Sequence, residues 1–209
     1  MGGDLVGAGY PTAYPLTSLL GGLSNIVQPN EPARSNLEYF GAGNLVDGAL
    51  ASTGVGCFVP VPVSLGQVIS KVSILVGGTG ASTPTHQFAA LYAGTGTAPA
   101  LMGQSTDTTT AVIAASALYG WTLATAQLIT STNAPLGFVY ALVAITASAI
   151  PTAATIATPA GINYQWSGTA GAGSPLFLSG TAGSALAGTA AATIASGAAK
   201  AVSPIVVLQ

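Results

Sequence analysis

The sequence is nearly without charge. Of its 209 residues, three are Lys or Arg, five are Asp or Glu and one is His. Charged residues therefore make up 4% of the chain, against about 25% of an average soluble domain. From Thr108 to Ala199 there is no acidic, basic or imidazole side chain at all, so chemistry by side-chain ionisation is excluded from that long stretch. The basic residues are Arg34, Lys71 and Lys200. Neutralising a phosphate backbone takes several Lys or Arg on one face, and nucleic acid is not an expected partner. Cysteine is confined to Cys57, which rules out an internal disulfide and, with a single His, a zinc site. In GCFVPVPV it is expected to be a small buried apolar residue. No Asp-rich loop of the calcium-binding kind occurs, and neither glycine cluster, GGTGAS or GTGTAP, runs into the Lys-Ser/Thr of a phosphate loop. They read as β-turns, and no metal or cofactor is expected.

Long apolar runs are also missing. The longest, PLGFVYALVAITASAIP from Pro135 to Pro151, is bounded by prolines, carries Thr146 and Ser148 and has no flanking Lys or Arg. It falls short of the roughly 20 residues of a spanning helix, so membrane insertion is not expected and a buried β-strand ending in a Pro-marked turn fits better. Met1-Gly2-Gly3-Asp4 lacks the basic n-region of a secretory signal, Val6 stands where a myristoylation motif wants Ser or Thr, and no N-x-S/T sequon occurs. Synthesis in a cytoplasm is the plain expectation.

What charge there is clusters: Glu31, Arg34, Glu38 and Asp47 fall in one short window. In the neighbouring PLTSLLGGLSNIVQP, Leu16, Leu19, Leu20, Leu23, Ile26 and Val27 recur at the spacing of one helix face. Thr17 or Ser18 suits the cap and Pro29 the end, while Gly21 and Gly22 each weaken such a helix by about 1 kcal/mol. It needs a surface to pack on, either another subunit or its own domain. QPNEPARSNLEYFGAGN, rich in Pro, Asn and Gly, reads as an extended connector.

From about Val55 the period changes to two. In QVISKVSILV, Val68, Ser70, Val72, Ile74 and Val76 alternate with Ile69, Lys71, Ser73 and Leu75. The runs THQFAALYA, ALMGQS, ALYGWTL, AQLITS, GFVYALVAIT, INYQW, PLFLS and SPIVVLQ follow, separated by turn residues. Eight to ten short strands with frequent turns predict an all-β fold, an antiparallel β-sandwich of jelly-roll-like type. The prolines of VPVPV put that strand near a sheet edge, because proline has no N–H to donate. SGTAG occurs at 167–171 and again at 179–183, and is expected to form similar loops on either side of PLFLS.

Candidate chemistry is thin. With one His in the chain, a hydrolase triad would have to be His86, Ser105 and Asp107, but no serine sits in a G-x-S-x-G elbow. In THQFAALY, His86 would alternate with Gln87 on a strand as a surface or hydrogen-bonded side chain. Glu31, Glu38, Asp47 and Asp107 could supply a glycosidase pair, yet three of them lie in the N-terminal quarter, where solubility and subunit contacts are the simpler role. Tyr119 with Trp121, and Tyr164 with Trp166, are two apart and share a face within their strands. Exposed, Trp121 and Trp166 could stack on a glycan; buried, they are core, the usual role of aromatic pairs on strands.

The run FVPVPVSLGQVISKVSILVGGTGASTPTHQFAALYAGTGTAPALMGQSTDTTTAVIAASALYGWTLATAQLIT, with the later GSALAGTAAATIASGAAKAVSPIVVLQ, resembles virion proteins of tailed phages that infect actinobacteria, commonly labelled minor tail or structural proteins. The resemblance spans about Val55 to Gln209 and rests on the whole pattern of strands and turns. It implies an all-β domain on the virion exterior in several copies, with no catalytic residue to carry over.

Together these readings predict a docking arm and connector over residues 1–54, its apolar stripe formed by the six residues from Leu16 to Val27 named above, and a jelly-roll-like sandwich over 55–209. The expected role is structural: a tail-associated phage protein, not an enzyme, made in the host cytoplasm and carried on the virion exterior as a homo-oligomer, a trimer. Its expected partners are other virion proteins of tail or capsid. A capsid decoration or head-fibre protein is one alternative, and an adhesin that binds host cell-surface glycan through Trp121 and Trp166 is another.

Overall fold

The computed structural model of the chain describes residues 34–36, 45–94, 98–157, 180–182, 185–194, 198–199 and 202–209. The strands, in chain order, are β1 (Arg34–Ser35), β2 (Leu45–Ala49), β3 (Gly56–Pro62), β4 (Val68–Leu75), β5 (Ser82–Tyr92), β6 (Leu101–Gln104), β7 (Leu118–Leu128), β8 (Phe138–Ala149), β9 (Thr152–Ala157), β10 (Gly180–Ala182), β11 (Ala198–Ala199), β12 (Val202–Pro204) and β13 (Val206–Leu208). None of the described residues is helical, and every strand pairing among them is antiparallel.

Two sheets face each other across the main core. One has the order β1-β13-β4-β7; the other contains β3-β8-β5-β6 and extends past β3 through β10 to β11. Counting only β1, β3 to β8 and β13 in chain order, the first sheet runs first-eighth-third-sixth and the second runs second-seventh-fourth-fifth. This is the interleaved double Greek key of a jelly roll. A third sheet, β12-β9-β2, continues from one end. The expected all-β sandwich is thus the observed fold.

The apolar run from Pro135 to Pro151 becomes β8, paired with β3 on one side and β5 on the other. Its alternate residues serve two cores. Val139, Ala141, Val143 and Ile145 point between the sheets, against Val59, Leu91, Val72, Ile74 and Trp121. Phe138, Tyr140, Leu142 and Ala144 point to the outer face, with Phe58, Phe88, Ala90 and Tyr92. A strand buried on both faces needs an unbroken apolar sequence, which is why this segment resembles a membrane span in composition while being a strand. Phe58 and Phe138 each meet Tyr140 edge to face, with centroids 5.9 and 5.1 Å apart.

Several local expectations change. ALYGWTL and AQLITS are one strand, β7, whose pairing with β4 slips between Ile69 and Lys71; the bulge absorbs the break in the apolar pattern. The second SGTAG is not a loop, because Gly180–Ala182 forms β10 against Gly56–Phe58. That pairing ends before Pro60 and Pro62, so the two prolines stand where β3 has β8 alone as partner among the described residues. The boundary at residue 54 does not coincide with the edge of the sheets: β1 pairs with β13, and β2 pairs with β9 along its whole length. Residues 1–33, with the Leu16 to Val27 stripe, lie outside the described residues, as do INYQW and PLFLS.

The expected closing strand SPIVVLQ is divided in two. Pro204 has no N–H, and at Ile205 the chain leaves the third sheet for the first. Its N–H donates to the Ala154 carbonyl at 2.9 Å, and its carbonyl accepts the Leu75 N–H at 3.2 Å. Asn36 spans this corner. Its side-chain amide donates to the Pro204 carbonyl at 2.8 Å and the Ser203 hydroxyl at 3.1 Å, and its oxygen accepts the Val206 N–H at 2.9 Å. Asn36 and Ser203 are both fully buried. Replacing Asn36 by Ala would leave a buried N–H and a buried carbonyl without partners, at about 1–3 kcal/mol each. Asn36→Ala is therefore expected to lower stability by about 3 kcal/mol in urea denaturation; a loss below about 1 kcal/mol would show that the strands hold the corner without it.

Candidate functional site

The chain's clustered ionisable groups, among the described residues, are His86 and Asp107. His86 lies on β5, where the strand pairing slips between Pro84 and His86, and its imidazole is about one-third exposed. Asp107 follows β6 at the start of the long connection to β7. Its Oδ2 meets His86 Nδ1 at 2.6 Å, and its Oδ1 accepts the backbone N–H groups of Gln87 at 2.8 Å and Thr109 at 3.0 Å. Burial tends to raise the carboxyl pKa, but the hydrogen bond from His86 and the two N–H donors outweigh it and hold Asp107 below the ordinary carboxylate value.

Gln87, which is fully buried, completes the arrangement. Its side-chain amide donates to the Ala111 carbonyl at 2.5 Å, and its backbone carbonyl accepts the Thr108 N–H at 3.0 Å. Gln87 shares the inward parity of Ala89 and Leu91, and that was the available sequence signal: a polar side chain on the core side of an otherwise apolar strand must satisfy itself on a neighbouring segment. Here the segment is the loop 107–111, which serves the Nε2 donor, while the buried Oε1 has no hydrogen-bond partner among the described residues.

A His–Asp pair that fixes the imidazole orientation is half of a nucleophile-activating device. The other half is not assembled. Ser105 is 2% exposed; its hydroxyl donates to the Thr106 carbonyl and accepts the Ala89 N–H, both at 3.0 Å. Asp47 serves a different turn, accepting the Gly78 N–H at 2.7 Å, and no group of three or more metal-ligating side chains occurs among the described residues. Glu31 and Glu38 lie outside them.

No protein-family model, curated protein or solved structure matches this chain.

Trp121 is 1% exposed and packs edge to face on Tyr119 at 4.9 Å in the main core. The two do share a face, but it is the inner one, so Trp121 has no surface with which to stack on a glycan. Tyr164 and Trp166 lie outside the described residues.

The other aromatic surface is the outer face of the β3-β8-β5 layer, and residues 185–194 cover it. Ala190 and Ile194 belong to its buried cluster, with Leu186 packed against them. This strap is fixed along its length. Leu186 N–H donates to the Gly54 carbonyl, Ala190 N–H to the Gln104 side chain, and the Tyr92 hydroxyl to the Ala191 carbonyl, each at 2.8 Å. Thr193 then bridges to Ala100. Small side chains let the strap's backbone lie close enough to be gripped from the sheet below. At one end Gly188, with φ +80°, sits so near Asp107 that any Cβ would strike the carboxylate, placing the strap against the His86 latch.

Two pH responses follow. Burial pushes the Tyr92 hydroxyl up to about 12 from its usual 10.0. A folded-state pKa above the unfolded one gives stability that is complete below about pH 10 and declines towards pH 12 as the unfolded chain ionises first. Tyr92→Phe should cost about 1 kcal/mol at pH 8 and show a shallower decline above pH 10, measured by denaturation across the alkaline range. For Asp107 the sign is reversed. Its lowered folded-state pKa gives stability that is present above the ordinary carboxylate pKa and lost as pH falls through the folded-state value. Asp107→Asn should cost about 1 kcal/mol at pH 7 and less in acid, so the wild-type and variant stability curves converge at low pH; parallel curves would remove Asp107 as the acid-sensitive group.

Proposed function

We propose that this chain is a structural component of a tailed-phage virion, attached at the tail, and that it works by assembly. The observation that carries the reading is the use to which its reactive and aromatic groups are put. His86 and Asp107 lock a loop, Ser105 is committed to the backbone, and the outer aromatic face is sealed by residues 185–194. What is left on the outside is largely Ala, Thr, Ser and Gly. Such a surface can meet neighbours with little charge to desolvate, and symmetry multiplies each weak contact.

The resemblance of residues 58–130 and 183–209 to actinobacteriophage virion proteins supports the same reading, as does the jelly roll, an architecture used in viral particles. The fold alone would not assign a function. The sealed aromatic face and the buried Trp121 count against a glycan adhesin built on these residues.

Because β1 and β2 belong to the sheets, the arm should be removed by deleting residues 1–33 rather than 1–54. The truncated chain is expected to keep the cooperative unfolding of the full chain, and its abundance in purified particles, measured by quantitative mass spectrometry, should fall at least about tenfold as the arm's contacts are lost. Normal incorporation of the truncated chain would overturn the division into arm and sandwich. The same measurement gives copy number. A few multiples of a tail symmetry fit this proposal, while tens to hundreds of copies would move the protein to the capsid surface.

A further inference from the structure

Among the described residues, four of the seven large exposed apolar side chains gather at one end of the sandwich. Leu65 is 67% exposed, Leu128 54%, Leu136 52% and Val68 36%. Backbone hydrogen bonds bring their segments together. Gly66 N–H donates to the Ile129 carbonyl at 2.9 Å, Ile129 N–H to the Gln67 carbonyl at 2.8 Å, and Val63 N–H to the Gly137 carbonyl at 3.0 Å, while Val68 and Leu128 are cross-strand partners. The turn after β3, the start of β4, the end of β7 and the connection into β8 thus form one apolar end, while Val112 and the β2 residues Leu45 and Val46 are exposed elsewhere. Scattered exposed leucines are ordinary; several on adjoining segments mark an interaction surface.

The same end is where residues 1–33 join the described fold. The Arg34 guanidinium donates to the Ser64 hydroxyl, next to Leu65. Upstream lies the stripe of Leu16, Leu19, Leu20, Leu23, Ile26 and Val27, separated from Arg34 by the six residues QPNEPA with Pro29 and Pro32. Such a Pro-containing connector favours extension and reaches about 20 Å. A connector of that reach is long enough to take the stripe past the patch beside Arg34 and onto the same patch of a neighbouring copy.

We propose that the Leu16–Val27 stripe of one copy docks on the Leu65, Val68, Leu128 and Leu136 end of a second copy. The contact is head-to-tail: each copy gives an arm and receives one, so the arrangement closes into a ring when the rotation between copies permits. It deepens the assembly reading above and rests on it for the arm's role.

The test uses full-length protein in sedimentation velocity over a dilution series. Wild type is expected to self-associate. The patch variant Leu65→Glu/Leu128→Glu and the arm variant Leu19→Glu/Leu23→Glu should each associate at least about a hundredfold more weakly, with near-ultraviolet circular dichroism unchanged because Leu65 and Leu128 are exposed. An equimolar mixture of the two variants retains one good arm and one good patch, and should form a heterodimer and nothing larger. A monomeric wild type, a patch variant that associates like wild type, or variants that fail to pair would each overturn the proposal. Failure here alongside lost particle incorporation of the chain lacking residues 1–33 would leave the virion assignment standing and reject only docking between copies.

Discussion

A sheet with an apolar strand at its centre, aliphatic on its inner face and aromatic on its outer one, needs two covers, and the rest of this molecule follows from supplying them. The inner cover is the β1-β13-β4-β7 sheet, which provides Val72, Ile74, Trp121 and Leu208. The outer cover is the strap at 185–194, which supplies Ala190 and Ile194. A second sheet can cover a face because its own hydrogen bonds are already satisfied. A strap has no such ladder, so its backbone must find partners in what it covers, and the side chains of Gln104, Tyr92 and Thr146 provide them. Bulky side chains would hold the strap's backbone off those partners. The Ala/Gly/Thr composition of the segment is thus a packing requirement.

The long polar side chains that are buried act in the same way. Gln87 holds the loop after β6, and Asn36 holds the corner where the chain changes sheets. In each case a side-chain amide stands in for a strand that is absent. Asn36 is satisfied at both its nitrogen and its oxygen and so fixes a single arrangement, whereas Gln87 is held through its nitrogen, its oxygen having no partner among the described residues. Asp107 adds a charge to this set, which makes the loop beside it sensitive to acid, while Tyr92 makes the strap sensitive to base.

Much of the sandwich was legible because period-two alternation reports directly on which face is buried. QVISKVSILV and THQFAALYA fall on β4 and β5, and the apolar run from Pro135 falls on β8. The misses have physical reasons. β2, LVDGA, is exposed at four of its five positions, on both sides of the strand, and has no apolar alternation to display. β9 and β10, TAATIA and GTA, are built of residues that read equally well as turns. The division of SPIVVLQ depends on Asn36, which lies more than 160 residues away in sequence. At the candidate site, the nearness of His86 and Asp107 was open to a sequence reader. The commitment of Ser105 to the Ala89 N–H was not, since it depends on how the end of β6 sits beside β5.

The pairing of β1 with β13 joins Arg34 to Leu208 and Ser35 to Val207. The first strand of the jelly roll therefore has no ladder until residues 206–208 have been made, and Asn36 has no partners until Ser203, Pro204 and Val206 exist. Contacts so distant along the chain form slowly and late. A nascent chain can build the β3-β8-β5 layer while its remaining residues are still being added, but it cannot close the sandwich. Closure of the fold thus doubles as a completeness check: a chain cut short before β13 leaves Ile74 and Val72 without their neighbour strand and β1 with nothing to pair with.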